Sequence, residues 1–279
     1  MLSLEECKLI IENSKYSDKG ELLSFLMPTI RLSATRFDET ALTAVGKSKM
    51  GGSPDLPVDL SWPKIGEGGS IERHEDLMDF LLQINLVEVS DMLAAESLPK
   101  DGMLYFFVNL ERLNGETSDS RNSSKIIYSS SKSSLVRRSD KESRFHPCEV
   151  KFEEGWTIDG EAVVPQGEMN EFLAVLSEIE GNAPEHQLMG FPYIVQAGDD
   201  MRRYCEEFVR EPSSDGDSLT EIDFSETNLR HWRLLCQLKS DELGPDWMWG
   251  DLGSLYFWIR SKDLATLAFD RHWLVMQSF

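Results

Sequence analysis

Eight short segments rich in β-branched and aromatic residues constrain the fold of this chain more than any other feature. In chain order they read TIRLSATRF, FLLQINLVEV, GMLYFFVNL, SKIIYSS, CEVKFEEGWTI, WRLLCQL, GSLYFWI and HWLVMQSF. Each is short and is separated from the next by turn-forming or polar residues, a pattern typical of strands. The segments predict an α+β, β-dominated protein whose sheets are mostly antiparallel.

Helical spacing of apolar residues occurs in a few places between these segments. Residues 3–13 predict a helix capped by Ser3, and a second short helix follows a cap at Ser17 and ends before Pro28. Further short helices are predicted at residues 91–96, 168–179 and 262–268. We expect the helices to pack on the sheets.

Three short motifs of the first half recur in the same order in the second half. MGGSP recurs as MGFPY, FLLQI as LLCQL and GMLYFFV as GSLYFWI, at separations of 139, 154 and 151 residues. Ordered self-similarity of this kind indicates an internal duplication. The predicted organisation is one compact domain, in which N-terminal helices at residues 1–28 precede repeat units at residues 29–160 and 161–279.

Each predicted unit contains a loop with glycine and proline, which we name the first Gly–Pro loop (residues 51–54) and the second Gly–Pro loop (residues 190–192). Glycine permits backbone angles closed to other residues, and proline rigidifies a turn. We expect each of these loops to form the turn that starts its unit, and a binding role is the alternative.

Gln83 and Gln237 lie in buried strand segments and need hydrogen-bond partners. The expected partners are backbone groups of the Gly–Pro loops, and the alternative is a ligand faced by both amides.

The charge of the chain excludes some partners. Its 49 acidic and 28 basic residues give a formal net charge of −21, which repels nucleic acids and anionic membranes. Such a surface either keeps the protein soluble or attracts a basic protein partner. Residues 118–134 are serine-rich and predict an exposed hairpin or loop, and the acidic residues 199–226 predict a solvated connection.

The four cysteines are scattered without a paired spacing, so neither a disulfide scaffold nor a zinc site is predicted, and we expect buried, reduced thiols. They are Cys7, Cys148, Cys205 and Cys236. Glu5 and Glu6 occupy the place of a basic signal-peptide region, and no apolar run reaches the length of a membrane span. These features predict a cytoplasmic location.

A search for catalytic patterns finds no nucleophile with a nearby base, no metal-ligand spacing and no phosphate-binding glycine loop. No catalytic residue, metal or cofactor is therefore predicted, and we expect a protein without enzymatic activity. His186 is the best single histidine candidate, although a lone histidine is more often structural. Trp247 and Trp249 could form a stacking platform or anchor the core, and Asp251 is expected in a turn.

The sequence leaves three hypotheses for function open. The first is a non-catalytic binding or interaction protein, with a basic partner such as a toxin. The second is a small-ligand binder or enzyme that uses a cleft between the repeats, where both Gly–Pro loops would approach Trp62, Gln196 and Trp249. The third is that all these residues serve the fold. The candidate ligand or partner residues are Lys49, Gly51, Gly52, Pro54, Trp62, Gln83, His186, Gly190, Gln196, Gln237, Trp249 and Asp251.

Several of these motifs together resemble a known family. SKMGGSPDLP, FLLQINLVEV, LPKDGMLYFF, HQLMGFPYIVQ, LLCQL and WMWGDLGSLYFWI are similar to the YwqG-like family, a bacterial domain of unknown function (domain of unknown function 1963). The resemblance extends from about Gly46 to Phe279. It implies a single compact unit dominated by β-structure, and it implies no established activity, catalytic residue or cofactor.

Overall fold

One ten-stranded antiparallel sheet organises the chain in the computed structural model. The structure describes residues 2–38, 44–64, 77–113, 123–130, 133–160, 167–181, 186–196, 200–208 and 229–279. Most of the acidic segment 199–226 and part of the serine-rich segment 118–134 lie outside these ranges. The predictions made for those parts therefore remain predictions.

The strands are β1 (Leu26–Arg36), β2 (Lys49–Met50), β3 (Asp55–Pro57), β4 (Asp79–Asn85), β5 (Met103–Val108), β6 (Ser124–Ser129), β7 (Leu135–Arg137), β8 (Cys148–Ile158), β9 (His186–Leu188), β10 (Trp232–Lys239), β11 (Ser254–Arg260) and β12 (Trp273–Gln277). The order in the large sheet is β12-β11-β10-β9-β1-β8-β2-β4-β5-β6, and β3 pairs with β7 separately. All ladders between these strands are antiparallel. The predicted β-dominated antiparallel fold is confirmed.

The two flanks of the sheet have the same arrangement around a central pair. The long strands β1 and β8 pair along eleven residues in the middle. The short strand β2 lies beside β8 and leads to β4, β5 and β6, while the short strand β9 lies beside β1 and leads to β10, β11 and β12. Each flank therefore begins with a strand of two or three residues that a Gly–Pro loop follows.

The sheet curls until its two edges meet. At β6, Ser124 Oγ lies 2.8 Å from Nε2 of His272, which immediately precedes β12. Inside, the ring centroids of Phe106 and Phe257 lie 5.2 Å apart, so residues of β5 and β11 pack together. The sheet is thus nearly closed and encloses the largest apolar core of the protein.

Most of the helices in the described ranges pack on the outer face of the sheet. The described helices are α1 (Leu4–Asn13), α2 (Lys19–Ser24), α3 (Met169–Glu180), α4 (Met201–Phe208) and α5 (Ser261–Ala265), with 3₁₀ turns at Leu86–Glu88, Leu93–Ser97, Leu110–Arg112 and Phe269–Arg271. Helices α1 to α3 form one apolar cluster with the end of β8, and α4 packs on β10 to β12. No helix in the described ranges has the length and apolar character needed to cross a membrane.

Some boundaries differ from the sequence predictions. The helix α1 begins as predicted, with a capping box formed by Ser3 and Glu6. The cap of α2 is Asp18 rather than Ser17, because the Asp18 side chain accepts the N–H of Glu21. The helix α4 lies within the segment predicted to be a connection. The strand predicted through Val89 ends at Asn85, whose side chain accepts the N–H of Val87 and starts a 3₁₀ turn.

Candidate functional site

The two Gly–Pro loops leave the sheet where β2 and β9 end. Gly51 and Gly52 have φ angles of 60° and 63°, and Gly190 has a φ of 79°, a region that favours glycine. A Cβ on Gly51 would lie 2.2 Å from the carbonyl oxygen of His146, and one on Gly190 would lie 2.7 Å from Oγ1 of Thr157. Both loops therefore need glycine for backbone geometry and close packing.

The strand register corrects the sequence alignment of the two loops. Lys49 pairs with Gln83 and Gln187 pairs with Gln237, so Lys49 and Gln187 occupy matching positions. Counting onward, Gly52 matches Gly190, whereas the sequence motifs placed Gly51 there. The alignment predicted from MGGSP and MGFPY is thus wrong by one residue, because two consecutive glycines and two methionines made the shifted alignment look equally good.

In the first half, Gln83 and Tyr105 hold the residue that follows Pro54. Gln83 Oε1 accepts the N–H of Asp55 at 2.8 Å, and the Tyr105 hydroxyl donates to the Asp55 carbonyl at 2.7 Å. Gln83 Nε2 also donates to the carbonyl of Lys47 at 2.6 Å. We name this Gln83–Tyr105 pair the first clamp.

In the second half, Gln237 and Tyr256 hold the residue that follows Pro192 in the same way. Gln237 Oε1 accepts the N–H of Tyr193 at 2.9 Å, and Nε2 donates to its carbonyl at 3.0 Å. The Tyr256 hydroxyl donates to the same carbonyl at 2.8 Å. This pair is the second clamp. The glutamines bind backbone groups as predicted, but these groups belong to residues that flank the Gly–Pro loops rather than to the loops themselves. Their amides are not available to a ligand.

The first clamp contains a buried charge cluster that the second clamp lacks. The fully buried Asp55 carboxylate lies 2.9 Å from Nε of Arg137 and 3.3 Å from Nζ of Lys49, and it accepts the N–H of Gly46 at 3.0 Å. Burial would raise the pKa of Asp55, but the Arg137 and Gly46 hydrogen bonds and the Lys49 charge outweigh it, so the pKa is lowered. Lys49 therefore belongs to the fold rather than to a ligand site.

The two Gly–Pro loops do not share a cleft, so the predicted common site is wrong. Gly51 packs against His146, just before β8 begins, and Gly190 packs against Thr157, near the end of β8. An extended strand rises about 3.3 Å per residue, which separates the two loops by about 30 Å. The register explains this result: β2 pairs with the first residues of β8 and runs off that end, whereas β9 pairs with the middle of β1 and runs toward the end where β8 finishes.

The three residues predicted to line that cleft lie in different places. The Trp62 indole packs against Phe107 at 5.7 Å and donates to the Met78 carbonyl. The Gln196 side chain donates to the carbonyl of Ser278 at 2.6 Å. Trp249 is buried in the core that the sheet encloses. Each of these three side chains is therefore held by different neighbours within the fold.

The aromatic segment near Trp247 anchors the core rather than forming a platform. Trp247 and Trp249 are both buried, and Trp247 Nε1 donates to the Lys239 carbonyl at 2.7 Å. The two rings pack against each other and against Phe145. Asp251 lies exposed in a turn, as predicted.

His186 also has a structural role. Its Nδ1 accepts the N–H of Lys239, so the proton lies on Nε2, which donates to Asp241 at 3.2 Å. Asp241 in turn accepts the N–H groups of Leu243 and Gly244. Burial would raise the pKa of Asp241, but the hydrogen bonds from His186 and Gly244 lower it. The histidine therefore fixes the loop that carries Trp247.

A serine–histidine pair joins the two sheet edges and escaped the sequence search because its members are 148 residues apart. His272 Nδ1 donates to the Phe269 carbonyl at 2.9 Å, so no carboxylate orients the ring as in a catalytic triad. Burial lowers the pKa of His272 to about 4, which makes it a weak base at neutral pH. We name the Ser124–His272 pair the edge latch.

A notch opens beside each Gly–Pro loop, where the short strand stops and its neighbour on the outer side, β4 or β10, continues. The first notch, beside β2, contains a cavity of only about 10 Å³. Trp62 and Phe80 line it, and both pack on Phe107. Asp79, also in its wall, lies 2.9 Å from Nζ of Lys141. The first notch is therefore filled by aromatic rings and an ion pair.

The second notch, beside β9, contains a cavity of about 150 Å³. Leu234 pairs with Trp258 here just as Phe80 pairs with Phe107 in the first notch, and each ladder has a bulge at the next residue. By the same register, Arg233 stands where the first notch has Asp79. Its walls include Phe25, Met27, Gly190, Arg233, Leu234 and Trp258.

The second notch is positively charged, in contrast to the chain as a whole. Three arginines and one aspartate line it: Arg202, Arg230, Arg233 and Asp159. The guanidinium of Arg202 is held by Asp159 at 3.2 Å and by Asp200 at 2.9 Å. Gly190 is the one candidate ligand residue from the sequence that lines this cavity. The other lining residues come from six separate chain segments, so the repeated motifs that contain Met189, Leu234 and Trp258 did not mark them as one site.

The fold and the cavities define a β-dominated α+β protein with one nearly closed antiparallel sheet and two unequal notches. Residues 48–278 match the family model described as Domain of unknown function (DUF1963), and the chain belongs to this family. The resemblance seen in the sequence is thereby confirmed. The search of curated proteins gives no match. Within the described ranges, no group of three or more His, Cys, Asp or Glu side chains is arranged to hold a metal ion.

Proposed function

We propose that this protein is a binding protein whose small ligand occupies the second notch. The observation that carries the proposal is the contrast between the notches: about 150 Å³ of space in the second against about 10 Å³ in the first. Small-molecule sites are concave, mostly apolar and lined by a few polar groups. The second notch has this composition, since Phe25 and Leu234 provide apolar walls and the arginines provide the polar groups.

A thermal-shift screen tests the proposal with benzoate, benzamide and benzylamine, which share a ring of suitable size and differ in charge. We expect at least one to raise the melting temperature of the wild-type protein, because a ligand that binds only the folded state stabilises it. Leu234→Trp, which fills the notch, should abolish the shift. Leu173→Trp makes the same change on the surface of α3 and should retain it. No shift with any probe, or an undiminished shift in Leu234→Trp, would contradict the proposal.

We further propose that the two flanks arose by duplication, with β1, β2, β4, β5 and β6 corresponding in order to β8, β9, β10, β11 and β12. The shared strand order, the matching bulges and the two clamps support this. In this scheme β8 starts the second unit, so the boundary falls before Cys148 rather than at residue 160. Superposition of β2, β4 and β5 on β9, β10 and β11 tests it: the Cα atoms of Gln83 and Gln237 should coincide once Gly52 is placed on Gly190.

A second candidate function is docking of a basic protein partner. A surface groove of about 530 Å³ lies between α1 and α3, where Leu9 is 56% exposed and Glu171 and Glu178 lie close by. In the described part of the chain, Glu171 Oε2 is buried without a hydrogen-bond partner. An apolar strip beside carboxylates suits an amphipathic helix rich in lysine.

A lysine-rich amphipathic peptide tests the docking proposal. We expect the peptide to bind with an affinity that falls as salt rises, because surface charges are screened. Leu9→Ser should reduce this affinity further. Leu243→Ser removes a leucine that is 89% exposed elsewhere and serves as the matched control. Equal losses in both variants, or no binding at low salt, would contradict it.

A further inference from the structure

The ligand chemistry of the second notch can be read from polar groups that the protein leaves without partners. Arg233 lies in its wall, and within the described ranges the only polar contact of its guanidinium is a distance of 3.9 Å from Nη1 to the sulfur of Met27. A thioether is a weak acceptor and carries no charge. No described residue therefore neutralises the positive charge of Arg233.

Trp258 provides a second donor in the same wall. Its side chain is 2% exposed and lines the cavity, and among the described residues Nε1 has no hydrogen-bond acceptor. An unsatisfied buried N–H group costs about 1–3 kcal/mol. Trp62 in the first notch avoids this cost, because its Nε1 donates to the Met78 carbonyl at 2.9 Å.

The first notch indicates which charge the second one is built to receive. There, the carboxylate of Asp79 is matched by Lys141 at 2.9 Å and by Arg144 at 3.5 Å. At the matching position of the second notch, the positively charged Arg233 replaces the negatively charged Asp79. No carboxylate of the described residues pairs with Arg233. Arg202 does not alter this, since Asp159 and Asp200 already hold it.

The remaining walls limit the size and character of a ligand. A cavity of about 150 Å³ accepts a molecule on the order of benzene in size. Phe25, Met27 and Leu234 supply apolar contacts, and the indole of Trp258 supplies a flat surface. An anionic group at Arg233 with a compact apolar or aromatic body satisfies both parts of the cavity.

We propose that the second notch selects a small organic anion, whose carboxylate or phosphate oxygens accept hydrogen bonds from Arg233 and from Nε1 of Trp258. This inference rests on the proposed binding function of the same notch. An arginine guanidinium presents a fork of donors that suits either oxyanion. Phenyl phosphate and benzoate therefore separate the two sources of this chemistry.

Calorimetric titrations test the inference with benzoate, phenyl phosphate, benzamide and benzylamine. We expect at least one of the two anions to bind, and benzamide and benzylamine to bind at least about ten-fold more weakly, because charge-assisted hydrogen bonds are worth about 1.5–3 kcal/mol. Inorganic phosphate should bind more weakly than phenyl phosphate, since it leaves the apolar walls empty. Tighter binding of benzamide or benzylamine than of both anions would overturn the inference.

Variants then assign the contacts. Arg233→Gln should weaken anion binding about ten-fold or more and weaken benzamide binding much less, because only the anions lose a charge-assisted hydrogen bond, while Arg233→Lys should retain part of the anion affinity. Arg203→Gln removes the same charge from the exposed side of α4 and is the control. Trp258→Phe should weaken anion binding several-fold. Wild-type affinity in Arg233→Gln, or an equal loss in Arg203→Gln, would overturn the assignment.

The titrations also distinguish the failure of this inference from the failure of the proposed function. If benzamide or benzylamine binds in the wild type, is lost in Leu234→Trp and outcompetes the anions, the notch is a binding site but not an anion site. If none of the probes binds, the proposed function fails and the anion inference fails with it.

Discussion

The two notches occupy matching positions in one sheet, yet the first is filled and the second is open. Both lie beside a short strand, both follow a Gly–Pro loop held by a glutamine and a tyrosine, and both have a bulge in the next strand. They differ in side chains: Phe80 against Leu234, and Asp79 against Arg233. The difference teaches that the backbone provides the notch, whereas the side chains that line it decide whether it is a piece of core or a cavity.

Removal of the Asp55 charge should produce the largest difference between the halves. Asp55→Asn leaves Lys49 and Arg137 without their carboxylate, and breaking a buried ion pair costs about 3–5 kcal/mol. Tyr193→Ala, at the matching position, removes a side chain that is 37% exposed while its clamped backbone remains, and should cost about 1 kcal/mol or less. Urea unfolding measures both. Equal losses would mean that the two clamps are energetically alike.

Acid should weaken the edge latch, which joins the two edges of the sheet. The pKa of His272 is about 4 in the folded protein and about 6.5 in the unfolded chain. Between these values the unfolded chain binds a proton that the folded protein does not, so the free energy of unfolding falls as the pH falls. At pH 5 the loss is about 2 kcal/mol.

The comparison with His272→Gln isolates this contribution from those of the carboxylates. The variant lacks the titrating ring, so its free energy of unfolding should decrease less than that of the wild type between pH 6.5 and 4. Unfolding curves in urea at several pH values give the two profiles. Parallel profiles would show that His272 does not control acid stability.

Neutralisation of the charge in each notch should separate a structural ion pair from a ligand-binding one. Lys141→Met leaves the buried Asp79 with only the longer contact to Arg144 and should cost about 1–2 kcal/mol. Arg233→Met removes no ion pair within the described part of the chain and should change the free energy of unfolding by less than about 0.5 kcal/mol. A large loss in Arg233→Met would indicate that this arginine serves stability.

Exchange of the aromatic side chains should have the smallest effect and tests the packing directly. Phe80→Leu should create space in the first notch and cost about 1 kcal/mol, because the ring of Phe107 loses a partner. Leu234→Phe should fill part of the second notch at little cost. Crystal structures of both variants measure the two cavities. Unchanged volumes would mean that other residues set them.

Local patterns in the sequence were sufficient to predict the long strands, the β-dominated fold class and the first helix. The strands β4, β5, β10 and β11 are each six to eight residues long, enough for composition and periodicity to identify them. Gln83 and Gln237 were also interpretable, because a buried amide must find partners and backbone groups that flank the Gly–Pro loops supply them.

The arrangement of the site could not be predicted, because it depends on pairing between distant segments. The short strands β2 and β9 contain two and three residues, too few for a periodic pattern. Their positions follow from pairing with β8 and β1, which sends the Gly–Pro loops to opposite ends of the sheet. The helix α4 was missed since four of its eight residues are charged, although Met201 and Cys205 lie one turn apart on a buried face.

The crossed pairing of the central strands determines how the chain must fold. Ile30 of β1 pairs with Leu188 of β9, so the first strand cannot complete its hydrogen bonds until most of the chain has been synthesised. Contacts between such distant residues slow folding, and an exposed strand edge invites aggregation while it waits. Neither flank contains all the strands that its short strand needs. A chain cut between β7 and β8 should therefore yield halves that fail to fold as independent domains, because β2 then loses β8 and β9 loses β1, and in the intact chain the two flanks should unfold together in a single cooperative transition.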